Sequence, residues 1–131
     1  MRPEKLIGMQ YRLGSNPEKH GTADCLSLAR AVLAYQGIET PEPQRNWYRR
    51  LKRGDTNVFP EELERWGVKE ELPRLGSVAL CRADSGYGLA AYWSDGCLVF
   101  AGSEVIWSPL SGLQVEGHYC QQKQNSAIPL D

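Results

Sequence analysis

From Asp24 to Gly37 the apolar residues Cys25, Leu28, Ala29, Val32 and Leu33 follow the i, i+3, i+4, i+7, i+8 spacing of a buried helix face. Asp24 is a good N-cap for that helix, and Gly37 reads as its C-terminal glycine. Upstream, Pro3-Glu4-Lys5 opens a short helix, because proline suits the first helical position. Gly8 and Gly14 flank Tyr11, and Asn16-Pro17 with Gly21 marks a loop. Downstream, Thr40-Pro41-Glu42-Pro43 is a turn. Residues 44–53 form a second expected helix, with Trp47 and Leu51 spaced i, i+4, and Gly54-Asp55 breaks it. Residues 59–66 form a third, with Pro60 near its start and Gly67 after its end.

The pattern changes at Leu75. Short runs rich in β-branched and aromatic residues then alternate with Gly, Ser, Asp and Pro. Five strands are expected, at 77–82, 88–93, 97–101, 105–107 and 113–121. Ser94-Asp95-Gly96 and Gly102-Ser103 read as tight hairpin turns. The polar tail from Asn125 to Asp131 reads as extended. Helices first (about 1–70) and an antiparallel meander second (about 75–121) predict one α+β domain over residues 1–131.

The length of 131 residues fits a single domain, and 41% hydrophobic with 24% charged residues is a globular composition. The net charge of −1 argues against nucleic-acid binding driven by charge, which needs a positive excess. The N-terminus MRPEKLIGMQYR has no apolar run of the kind a signal peptide needs, so secretion by that route is not expected. No apolar stretch approaches the roughly 20 residues of a membrane span, so no membrane insertion is expected. Cys25, Cys81, Cys97 and Cys120 include no CxxC pair, so neither a zinc site nor a thioredoxin-type pair is expected, and no cofactor is expected. Free, mostly buried thiols are the expectation for a reducing compartment.

Cys25 stands apart because it opens the best helix. The free N–H groups and dipole there favour a thiolate, and a nucleophilic cysteine needs this together with a nearby base. Spacing alone also fits a buried structural cysteine, and both readings stay open at this point.

Gly8-Met9-Gln10-Tyr11-Arg12-Leu13-Gly14, a loop to Gly21, then Asp24-Cys25-Leu26-Ser27-Leu28 resembles the opening of the NlpC/P60 cysteine peptidase family, G-x-x-Y-x-x-G followed by D-C-S-G-L-V. Leu72-Pro73-Arg74-Leu75-Gly76-Ser77-Val78 is similar to its L-P-x-x-G-D-V segment. Leu89-Ala90-Ala91-Tyr92, Asp95-Gly96 and Val99-Phe100-Ala101 are similar to H-V-G-I-Y, a D-G turn and I-H-A. Ser108-Pro109-Leu110 before a last strand resembles the short members encoded among phage tail genes. The resemblance implies a papain-like NlpC/P60 domain with N-terminal helices packed on a five-stranded antiparallel sheet. It also implies Tyr11, Asp24 and Cys25 as site residues.

The chain departs from the pattern: Leu26-Ser27 replaces the Ser-Gly after the cysteine, and two catalytic positions are changed. Counting back from Tyr92 puts Gly88 where the family carries its histidine base, and Phe100 falls where a polar residue orients that base. Glycine and phenylalanine can do neither job. His20, five residues before Cys25, and His118, in the last strand, are the only histidines left as substitutes. The resemblance with these losses implies a pseudoenzyme, a structural protein of a phage tail or baseplate. It would be made in the host cytoplasm and carried in the virion, with other tail proteins as partners. An active cysteine peptidase cutting peptidoglycan peptide stems is the alternative, and an amidase or acyltransferase is a third reading. Candidate partner-binding residues are Trp47, Arg49 and Arg50 in the basic stretch 45–53, and Trp93 at a strand end.

Overall fold

A computed structural model describes residues 1–121; the tail read as extended lies outside the described residues. After a 3-10 turn at Pro3–Leu6 come β1 (Gln10–Tyr11), α1 (Pro17–His20), β2 (Thr22–Ala23), α2 (Cys25–Tyr35), α3 (Trp47–Lys52) and α4 (Val58–Trp66). Then follow β3 (Gly67–Glu70), β4 (Ser77–Ala83), β5 (Gly86–Trp93), β6 (Gly96–Ala101), β7 (Glu104–Ser108), a 3-10 turn at Leu110–Gly112, and β8 (Val115–Gln121). The strands form one sheet in the order β2-β1-β7-β6-β5-β4-β8-β3.

The expectation of N-terminal helices on a five-stranded antiparallel sheet is therefore corrected. The domain is mixed α/β, with eight strands and four α-helices among the described residues. The five expected strands are β4 to β8, and three more extend both edges. β1 and β2 pair parallel to each other, and β1 meets β7 antiparallel. β3 pairs antiparallel with β8, Gly67 opposite Gln121 through Glu70 opposite His118. Two-residue strands carry no readable alternation, which is why the sequence pattern missed β1 and β2. Gly67 misled for another reason: it ends α4 and at once begins β3. It is glycine for lack of space, since a Cβ there would collide with the Cys120 carbonyl oxygen of β8.

α2 forms where the pattern placed it. The Asp24 carboxylate accepts from Ser27 N–H at 2.8 Å, and the Ser27 hydroxyl accepts from Asp24 N–H at 2.9 Å, a reciprocal capping box. Gly37 adopts the left-handed conformation, φ 81°, while Gly37 N–H donates to Ala34 O and Ile38 N–H to Leu33 O, closing the helix as a Schellman motif. Leu26, Ala29 and Leu33 pack into one cluster with Leu63, Val78, Leu80, Leu89 and Tyr119. Leu28 and Val32 pack into a second with Leu6, Ala91, Leu98 and Val105. The opposite face of the sheet carries Ala79, Cys81, Ala90 and Cys97, covered by Leu110, Leu113 and Val115. α3 is shorter than expected and has no buried residue. Arg50 ties it to α4, donating to Glu61 at 2.6 Å and 3.0 Å. The segment before α3 is tied by the fully buried Glu62 carboxylate of α4, which accepts from Gln44 N–H at 3.0 Å, Gln44 Nε2 at 3.0 Å and its own helix's Arg65 Nη1 at 2.8 Å.

Candidate functional site

Cys25 is the first residue of α2, half-buried, with Asp24 immediately before it. The second Asp24 oxygen accepts from Gly14 N–H at 2.7 Å, which ties the loop after β1 to the head of α2. Tyr11, in β1, stands edge-on to Phe100 of β6, with ring centroids 5.2 Å apart at 83°. Tyr11 thus stands near Asp24, Cys25 and Phe100.

The electrostatics oppose the thiolate expected from the helix terminus. Burial pushes the Cys25 thiol up to about 11; a backbone hydrogen bond from Leu89 acts the other way, and the Asp24 charge adds to the rise. Desolvation penalises the charged form more than the first turn of the helix rewards it. Burial pushes the Tyr11 phenol up to about 12, reinforced by negative charge at Cys25 and Asp24. Both groups are neutral near pH 7, and neither accepts a proton from the other.

Gly88 does not sit beside Cys25. β5 pairs regularly with β4, Ala91 opposite Val78 through Gly86 opposite Ala83, so its side chains alternate without a bulge. Tyr87, Leu89, Ala91 and Trp93 face the helices, as their clusters show. Gly88 shares the other face with Ala90 and Tyr92. A Cβ at Gly88 would meet nothing within 4 Å. Phe100 packs on the helix side, with Leu98 and Ala91. The counted base and orienting positions therefore lie on opposite faces of the sheet. The β5 residue beside Cys25 is Leu89, which is apolar.

Neither histidine replaces the base. His20 is exposed at the end of α1, and its Nδ1 accepts from Asn16 N–H at 2.9 Å. His118 lies in β8 opposite Glu70 and Ala79, one position from Tyr119, whose ring joins the cluster that Cys25 packs against. Alternation puts His118 on the far face, where burial lowers its pKa. Among the described residues no group of three or more His, Cys, Asp or Glu side chains is placed to hold a metal ion, and no helix is long and apolar enough to cross a membrane.

The candidate partner-binding residues are not one patch. Trp47 packs half-buried on the first core cluster. Arg49 is exposed on α3. Arg50 is spent internally, donating to Asp55 at 2.8 Å and to Glu61 at 2.6 Å. Hydrogen bonds from Arg50 and then Gln44 hold the Glu61 carboxyl down to about 2. Trp93, the candidate at a strand end, is half-buried, its Nε1 donating to Glu4 at 3.1 Å and its ring edge-on to Tyr35 at 5.6 Å. Trp107 is the exposed tryptophan at that end of the sheet, and its Nε1 donates to the Trp93 carbonyl at 3.0 Å. The chain matches no protein-family model and no curated protein.

Proposed function

We propose that this domain is a catalytically silent relative of the NlpC/P60 peptidases that serves as a structural part of a phage tail or baseplate. The observation that carries the silent half is the setting of Cys25: a thiol raised to about 11, with apolar Leu89 on the neighbouring strand and, among the described residues, neither histidine beside it. Cysteine nucleophiles work as thiolates generated by a base within hydrogen-bond reach, so a neutral thiol with no histidine beside it supports a packing role. The tail assignment is supported by the order of sequence segments from Gly8-Met9-Gln10-Tyr11 through Asp24-Cys25 to Ser108-Pro109-Leu110. In this reading the partners are other tail or baseplate proteins, and the protein reaches the virion from the host cytoplasm.

The test combines turnover with assembly. Purified protein should not hydrolyse peptidoglycan fragments, and Cys25→Ala should leave that blank unchanged. Gly88→His should gain no activity, since its imidazole would stand on the face away from Cys25. Particles carrying Cys25→Ala should assemble and infect like the parent. Turnover abolished by Cys25→Ala would replace this reading with the peptidase alternative, and normal particles that lack the protein altogether would remove the structural role.

A further inference from the structure

β3 is the last strand of the sheet, paired on one side with β8 and on the other with nothing among the described residues. Natural proteins protect such edges, because a free row of backbone donors and acceptors invites another strand. This edge is instead followed by the most exposed large apolar side chains of the described residues, Leu72 at 76% and Leu75 at 64%, and Val68 on the strand is 46% exposed. Lys69 and Glu71 are exposed between them.

We propose that the β3 edge, with the Glu71–Leu72 bend after it drawn out as a continuing strand, is an interface at which two copies of this chain pair antiparallel about a two-fold axis through Glu70. The symmetry fixes the choice. A two-fold axis normal to the sheet keeps every side chain on its own face, so opposed residues must differ by an even number. With the axis at Glu70, Lys69 faces the partner's Glu71 twice, and Val68 faces the partner's Leu72 twice. With the axis at Lys69, two lysines oppose each other and Val68 faces a carboxylate. Only the first register matches charge to charge and apolar to apolar, and such cross-strand pairs are the unit of sheet stability. The two Glu70 side chains meeting at the axis are each already neutralised by their own Arg74, at 3.0 Å and 3.1 Å. Nothing in this pairing depends on the state of Cys25, so the inference stands or falls separately from the silent-domain reading.

The contact is smaller than a standard interface, so a dissociation constant on the order of 10 µM is expected. Sedimentation velocity from about 1 µM to about 100 µM, bracketing that constant, should show a monomer passing to a dimer. Leu72→Asp should hold the protein monomeric with an unchanged circular dichroism spectrum, because Leu72 is exposed. Lys69→Glu turns two attractive pairs into two repulsive ones and should weaken dimerisation about tenfold or more. The double variant Lys69→Glu with Glu71→Lys should restore it. A monomer at all concentrations overturns the proposal and leaves the edge to a different protein. A dimer indifferent to both single variants overturns it by placing the contact elsewhere. A dimer broken by Leu72→Asp that the double variant fails to restore overturns the Glu70 register.

Discussion

Asp24→Ala is expected to lower the unfolding free energy by about 3 kcal/mol. Asp24 is 2% exposed and its two oxygens hold two separate segments: Ser27 N–H at 2.8 Å caps α2, and Gly14 N–H at 2.7 Å anchors the loop after β1. Loss of the cap costs about 1 kcal/mol, and a part-buried Gly14 N–H left without an acceptor costs about 1–3 kcal/mol more. Against a total stability of about 5–15 kcal/mol the effect is large. Guanidinium unfolding followed by tryptophan fluorescence measures it. Asp24→Asn keeps one acceptor oxygen and should lose about half as much, since one of the two N–H groups stays paired. A loss below about 1 kcal/mol for Asp24→Ala would mean that the Gly14 contact contributes nothing.

Glu62→Ala should be comparably severe, about 3 kcal/mol or more. Its carboxylate is fully buried on α4 and receives three hydrogen bonds, two from Gln44 and one from Arg65. Removing one member of a buried charged set leaves the others unpaired, typically a loss of about 3–5 kcal/mol. The lower end applies here, because the Arg65 side chain is 43% exposed and can return to water. Glu62→Gln keeps the shape and one acceptor and should cost less. Hydrogen exchange gives the spatial readout: Glu62→Ala should speed exchange across 44–55, where α3 has no buried side chain of its own, and leave α2 unchanged. Equal acceleration in α2 would show that the network supports the whole core rather than this segment.

The readable parts of the sequence were those with a long period. Eleven residues of α2 repeat an apolar stripe between a cap and a glycine, and Cys25–Tyr35 is a helix. Hairpin chemistry at Ser94-Asp95, both left-handed in the structure at φ 56° and 62°, fixed the β5–β6 connection. The edge strands were not legible, because β1 and β2 are two residues each and their pairing partners are distant in sequence or set by loops. β3 was hidden behind Gly67, a residue that signals a helix end and here also admits the Cys120 carbonyl. Tyr11, Asp24 and Cys25 were singled out through the resemblance, and they lie near one another. The face of Gly88 was not, because counting from Tyr92 ignores the alternation that sets Leu89 beside Cys25. The Arg50 ion pairs were invisible in a run of basic residues, since Asp55 and Glu61 come into reach only when α3 packs beside α4.

The pH profile of Cys25 alkylation tests the central claim most directly. Reaction with iodoacetamide, resolved by mass spectrometry of the Cys25 peptide, follows the thiolate fraction, and comparing one site across pH cancels its limited access. With the thiol at about 11, the rate should rise about tenfold per pH unit from pH 6 to pH 9 without levelling. A rate already flat below pH 7 would show a stabilised thiolate at the head of α2 and contradict the reading of Cys25 as a silent, packed thiol.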